Sequence, residues 1–173
     1  VGSSSISCQY FYEKYIHKYD FIRMSRDTNN SDVKNFDLQD SKTYIDLSKF
    51  DGLVYFPGTI TIKQFQRLEL SDFQNDFNIN VIGLIKILKF YQKKMNNGAS
   101  IVLFSTVASK LGMPYHASIS TSKSAIIGLM QSLAAEWAPD IRINSISPSI
   151  FESKMSKRML SNENSAERIA KNH

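Results

Sequence analysis

The stretch from Ile101 to Ser153 limits the possible folds of this chain more than any other. It opens with the short apolar run Ile101-Val102-Leu103-Phe104, which ends in two hydroxyls, Ser105 and Thr106. A loop follows, then a long helical pattern from Ser118 to Trp137 that carries Lys123 near its start. A second strand pattern, Ile141 to Ser147, runs into Pro148-Ser149. A strand, a helix and a strand in that order make a right-handed crossover unit of a parallel sheet. Polar groups gathered where such strands end lie where an open parallel sheet binds its ligands.

With 173 residues the chain suits a single domain, residues 1–173, large enough to bury a proper core. Hydrophobic content of 42% and charge of 21% are ordinary for a globular protein. The net charge of +5 comes from scattered lysines and arginines; the densest basic stretch, Lys154 to Arg158, falls in an expected surface helix. Without a basic stripe or aromatic platform, the charge does not indicate nucleic-acid binding. No apolar run is long enough to cross a bilayer, so no membrane role is expected and the cytoplasm is the default location. Cys8 is the only cysteine and rules out an internal disulfide. The three histidines lie far apart and Cys8 has no partner, so no metal site is expected.

The rest of the chain repeats the alternation of strand and helix. Ser3, Ser4 and Ser5 form a serine-rich turn that can cap a helix or donate to a phosphate at its amino terminus. The helix, about Ser7 to His17, carries Tyr10, Phe11, Tyr12 and Tyr15, with Phe11 and Tyr15 on one face and core packing as their expected role. Phe21 to Met24 reads as a strand and Asp27 to Asn35 as a polar link too short for a helix. A third strand near Val33 to Asp37 leads to an expected helix from Ser41 to Leu47, capped by Ser41 or Asp40. Asp51 to Phe56 reads as a strand, and Gly58 just beyond it permits close backbone approach. Ser71 to Met95 reads as one long helix, with Phe73, Phe77, Val81, Leu84, Ile85, Leu88 and Tyr91 forming its apolar stripe. Small helices are expected at Glu152–Leu160 and Ser165–Lys171.

These residues, and the Ile101–Ser153 stretch above all, resemble the short-chain dehydrogenase/reductase family. Lys123 matches the lysine of the family's Tyr-x-x-x-Lys pair, and Asn80-Val81-Ile82-Gly83 matches its Asn-x-x-Gly. Asn144 to Ser149 matches the approach to a Pro-Gly turn, with Ser153 where a nicotinamide-contacting threonine would stand. Val1 to Cys8 aligns with the glycine-rich turn: Gly2 is kept, while Ile6 and Cys8 replace the second and third glycines. Ile119 stands where the tyrosine would be, and Thr106 where the serine would be, with Ser105 just before it. The resemblance spans Gly2 to Ser153 and is strong from Phe77 onward.

The resemblance implies an α/β fold of the Rossmann type: a doubly wound parallel sheet in three layers, α/β/α. Val1-Gly2 then reads as the tail of a first strand, and Ala166 to His173 stops short of a final strand, so the chain looks clipped at both ends. It further implies hydride transfer between a nicotinamide and a carbonyl or alcohol substrate, with a homodimer or homotetramer as the assembly. NADP is the expected cofactor, because Arg26 follows the second strand where a basic residue accommodates the extra phosphate, with NAD as the alternative. Gly2, Ser4, Ser5, Ile6, Arg26, Asp37, Gly58, Lys123, Pro148 and Ser153 are the expected cofactor contacts. Asn80, Thr106, Ser105 and Lys123 are the expected catalytic groups.

Ile119 has no proton to give, so the donor must be relocated or absent. If the helix begins by Tyr115, His116 and Tyr115 would share a face with Ile119, and His116 is the first candidate because imidazole titrates near neutrality. The alternative is a catalytically inactive dinucleotide-binding protein, or the inactive partner in a hetero-oligomer. A scaffold without dinucleotide is the third reading.

Overall fold

The computed structural model describes residues 1–150. The small helices expected at Glu152–Leu160 and Ser165–Lys171, the basic stretch Lys154 to Arg158, Ser153 and the end of the chain lie outside the described residues. The fold is the expected doubly wound α/β class. Helix α1 (Ile6–Tyr15) is followed by two short parallel strands, β1 (Arg23–Ser25) and β2 (Val33–Asn35), joined without a helix. Strand β3 (Phe50–Tyr55) leads to helices α2 (Leu70–Phe77) and α3 (Gly83–Tyr91), then to β4 (Met95–Phe104), α4 (Ala117–Trp137) and β5 (Ile141–Ile146). Strands β3, β4 and β5 form one parallel sheet in that order.

Backbone at the start of the chain joins the two groups of strands. The Val1 ammonium donates to the Val54 carbonyl at 2.9 Å, and the Phe56 N–H donates to the Val1 carbonyl at 3.0 Å. On the other side the Gly2 N–H donates to the Met24 carbonyl at 2.8 Å. The order across the molecule is therefore β2, β1, Val1-Gly2, β3, β4, β5, the reversal that defines a doubly wound sheet. Gly2 is required here: its φ is +81°, and a Cβ would stand 2.8 Å from the Pro57 ring.

The core lies on one face of the sheet. Leu53, Tyr55, Ala99, Ile101, Leu103 and Ile143 alternate inward along β3, β4 and β5, and Leu84, Ile87, Leu88 and Tyr91 of α3 and Ile126 of α4 belong to the same buried cluster. Each such side chain contributes about 1.5–3 kcal/mol when fully buried. The aromatic residues of α1 do not join this core. Phe11, Tyr12, Tyr15, Tyr19 and Phe21 pack edge-on against one another, and Cys8 alone is buried in that helix.

Two expected elements come out differently, the second in two places. Ser41 to Leu47 forms no α-helix, only a 3₁₀ turn at Ser41–Thr43 capped by Asp40, because Tyr44 instead stacks on Phe36 and donates to the Leu38 carbonyl at 2.9 Å. The long helix stops at Tyr91 and a single 3₁₀ turn, because Met95 is buried and pairs with Phe50 as the first residue of β4. The same helix widens at Asn78–Ile82 into a π turn, closed by the Gly83 N–H on the Asn78 carbonyl. Tyr55 stabilises the turn: its buried hydroxyl donates to the Ile79 carbonyl at 2.8 Å.

Candidate functional site

Every chain segment that leaves the carboxyl end of a strand turns into one cavity of about 760 Å³. Gly2, Ser4, Ser5 and Ile6 line it from the first turn, Arg26 from beyond β1, Asp37 from beyond β2 and Gly58 from beyond β3. Ser105 and Thr106 follow β4, Pro148 and Ser149 follow β5, and His116, Ile119 and Lys123 come from the head of α4.

The tightest convergence is at Gly58. A Cβ there would lie 3.0 Å from Asn80 Oδ1 and 3.4 Å from Lys123 Nζ, so the carboxamide and the ammonium both approach the Gly58 backbone; Gly58 and Lys123 line the cavity, and Asn80 lies buried behind them. Lys123 Nζ donates to the Phe104 carbonyl at 2.9 Å, which ties the lysine to the end of β4 and leaves two of its N–H groups free of that bond. Burial pushes the Lys123 ammonium down to about 8, with nearby Asp76 partly opposing the change. Asn80 is fully buried within the π turn. Its Nδ2 donates to Thr59 Oγ1 at 3.0 Å and to the Asp76 carbonyl at 2.8 Å, while its Oδ1 has no partner among the described residues.

The two hydroxyls after β4 have different tasks. Ser105 is buried and donates to the Lys123 carbonyl at 2.9 Å, fastening α4 to the strand end. Thr106 Oγ1 accepts from the Ala108 N–H at 3.3 Å as the cap of a 3₁₀ turn, which leaves its own proton to donate into the cavity. Ser5 caps α1 by accepting from the Cys8 N–H at 3.2 Å, and Ser4 accepts from the Ser25 hydroxyl at 3.2 Å, so each keeps its own proton to donate; Ser4 is the more exposed of the two. Asp37 Oδ1 accepts from the Gln39 N–H at 2.9 Å in a local turn. Arg26 is exposed and has no carboxylate partner among the described residues, whereas Arg23 pairs with Asp32 at 3.6 Å.

The head of α4 departs from expectation. The helix begins at Ala117, with His116 at the cap position and Tyr115 before it at a φ of +68°. Tyr115 is 52% exposed and does not line the cavity, so it shares no helical face with Ile119. His116 does line the cavity, from the cap rather than from a helical turn. Its Nδ1 lies 2.7 Å from the Pro114 carbonyl; since a carbonyl only accepts, Nδ1 carries a proton and Nε2 is the nitrogen left for other partners. Ile119 is buried at 4% exposure. At the opposite end Ile6 is 53% exposed and forms part of the cavity wall.

Sequence reading missed Asp76. The side chain is completely buried, and Thr59, Thr61 and Ser118 all donate to its carboxylate, at 2.7, 3.2 and 2.6 Å. The signal was present: Asp76 lies four residues before Asn80, so the two face the same way on a helix whose inward side is otherwise apolar. The described residues contain no cluster of three or more potential metal ligands, and none of their helices is long and apolar enough to cross a membrane.

A nicotinamide dinucleotide fits the Gly58 end of this cavity. The missing Cβ at Gly58 leaves the close approach a ribose needs, Lys123 has protons to donate, and Asn80 Oδ1 is a buried acceptor awaiting a donor. Comparison with known proteins agrees with the geometry. A family model described as enoyl-(acyl carrier protein) reductase matches residues 36–173. The hydroxynaphthalene reductase arp2 of Aspergillus fumigatus is 30% identical over 108 residues, which are 62% of this chain and 40% of that protein. The chain thus spans less than half of that relative's length. Among solved structures, 4-hydroxyisoleucine dehydrogenase complexed with NADH superposes over 99% of this chain and 80% of its own, with a TM-score of 0.80 at 23% identity. ElxO with NADP bound covers 100% and 81%, with a TM-score of 0.79 at 23% identity, and at such identities the likeness speaks to the fold. Taken with the strand order and the matched stretch from Asn80 to Pro148, these findings show that the chain belongs to the short-chain dehydrogenase/reductase family.

Proposed function

We propose that this chain is an NAD(P)-dependent oxidoreductase that transfers hydride between a nicotinamide and a carbonyl or alcohol substrate. The observation that carries this reading is the convergence of the Asn80 carboxamide and the Lys123 ammonium on Gly58, where Gly58 and Lys123 line a cavity formed by the strand ends. A bound dinucleotide would supply the hydride donor or acceptor. Lys123 would hold its nicotinamide ribose through the N–H groups not used on Phe104, and Gly58 would let the ribose lie against backbone. Asn80 Oδ1 would accept from a water held beside the lysine. Ser4 and the amino terminus of α1 would face the pyrophosphate, and Arg26 the 2′-phosphate of NADP. Thr106 would donate to the substrate oxygen.

The proton for the developing alkoxide falls to His116. With Nδ1 committed to Pro114, the ring can give a proton from Nε2 only as the imidazolium. A positioned acid is worth about 10²–10⁴ in rate, so removing it should be plain in turnover. The resemblance further suggests a homodimer or homotetramer, and Ile82 and Phe90, both more than 40% exposed on the long helix, offer apolar surface for a second copy.

Two observations favour a second reading, a dinucleotide-binding chain without catalysis. Ile119 is buried in the cavity wall where the family places its proton donor, and Ile6 narrows the wall where the pyrophosphate would approach. Fluorescence titration with NADPH and NADH tests the shared part, with tighter binding of NADPH expected; no saturable signal with either dinucleotide would overturn both readings. Turnover of an alcohol panel, reduced about 100-fold or more by His116→Ala, would support the oxidoreductase. Turnover unchanged in that variant removes His116 as the donor. Activity that appears only in Ile119→Tyr points to the inactive partner.

A further inference from the structure

A fully buried carboxylate is costly unless its surroundings stabilise the charge. Asp76 makes no ion pair among the described residues; its stabilisation comes from three hydroxyls and from the first turn of α4, where Ser118 donates at 2.6 Å. The positive end of a long helix favours an anion at that place. The carboxylate is also linked to the cavity. Thr59 donates its proton to Asp76 at 2.7 Å, so its oxygen is left to accept from Asn80 Nδ2 at 3.0 Å. The Asp76 carbonyl accepts from the same Nδ2 at 2.8 Å. Both donor bonds of the carboxamide are thereby fixed from one side, and its oxygen is turned toward Gly58 and Lys123.

We propose that Asp76 is a positioning residue for the dinucleotide: through Thr59 it sets the direction of the Asn80 carboxamide, whose oxygen faces Gly58 as the Lys123 ammonium does, and its charge acts on that neighbouring lysine. The inference rests on the dinucleotide reading given above. Among the described residues, the Phe104 carbonyl from β4, Asn80 from the π turn and backbone at Gly58 also face Lys123, and all three are neutral. His116 at the head of α4 lines the same cavity. Asp76 is the charge that opposes the desolvation of the lysine.

The test uses Asp76→Asn, which keeps the shape and removes the charge, with Lys123 followed by NMR of ¹³Cε-labelled lysine in the free protein. Loss of a nearby opposite charge should lower the Lys123 titration midpoint by about one pH unit. With the midpoint so lowered, affinity for NADPH or NADH should fall about fivefold at pH 8 and stay close to wild type at pH 6, because the ammonium is then nearly complete in both proteins. The same midpoint in both proteins, or an equal loss of affinity at both pH values, overturns the role of the charge. Thr59→Val keeps the charge and cuts the link to Asn80; it should weaken binding equally at pH 6 and pH 8 with the Lys123 midpoint unmoved. Wild-type affinity in that variant overturns the role in orientation, and this arm stands even if Asp76→Asn does not fold. Failure of the underlying reading is distinguishable: the wild type would then bind neither dinucleotide even though the Lys123 midpoint moves as expected.

Discussion

Replacing Lys123 with methionine should make the protein more stable at neutral pH while abolishing its grip on a dinucleotide. Burial brings the lysine from an ordinary 10.5 to about 8, a value that already includes the attraction of Asp76. A tenfold loss of proton affinity corresponds to about 1.4 kcal/mol, so at pH 7 keeping a proton on the buried amine costs the folded state about 3 kcal/mol. The sign follows from the protons held by each state. Between pH 8 and pH 10.5 the unfolded chain holds a proton that the folded chain has released, so wild-type stability should rise with pH across that window. Methionine has no proton to lose and a similar length, but it gives up the bond to the Phe104 carbonyl, worth about 1 kcal/mol. The net gain expected at pH 7 is about 2 kcal/mol, reversing to a loss of about 1 kcal/mol near pH 10.5. Urea unfolding of both proteins at a series of pH values measures this difference directly. A variant less stable than wild type at pH 7, or a difference that does not change with pH, would refute the claim that the ammonium is held at the expense of the fold.

Two further substitutions probe the surroundings. Gly58→Ala places a methyl group 3.0 Å from Asn80 Oδ1 and 3.4 Å from Lys123 Nζ, so dinucleotide affinity should drop about tenfold, roughly 1.4 kcal/mol, with little change in circular dichroism; fluorescence titration checks it. Tyr55→Phe removes the hydroxyl that donates to the Ile79 carbonyl, leaves that carbonyl in the π turn without the bond, and should lower stability by about 1–3 kcal/mol in urea unfolding.

Much of the architecture could be read from the sequence where periodicity and packing agree. The stripe from Phe77 to Tyr91, the run Ile101 to Phe104 and the helix beginning near Ser118 all bury the side chains their spacing puts inward. Asn80 and Lys123 could be paired from their match to family motifs, and in the fold both side chains approach Gly58. The errors arose where a contact or a backbone conformation outside the periodic pattern overrode local preference. Tyr44 leaves a helical pattern because Phe36 offers a ring 4.8 Å away, and Met95 leaves one because Phe50 offers a strand partner. Tyr115 takes a positive φ that no helix can hold, so the head of α4 forms two residues later than Tyr115 and carries His116 as its cap. Asp76 escaped notice because a lone carboxylate on an apolar face looks solvated until Thr59, Thr61 and Ser118 are seen around it.

The widened turn at Asn78–Ile82 has a consequence for how this helix tolerates change. It accommodates one residue more than a regular helical turn, and so two neighbours, Asn80 and Val81, both face inward, one polar and one apolar. Shortening the chain by a single residue there would let α2 and α3 fuse into an unbroken rod, with both ends still seated as before. The lesion would fall on the site, because only one of the two neighbours could keep its inward place. A one-residue deletion in mid-helix, ordinarily among the most damaging of changes, would here spare the scaffold and cost one of these two side chains its inward place.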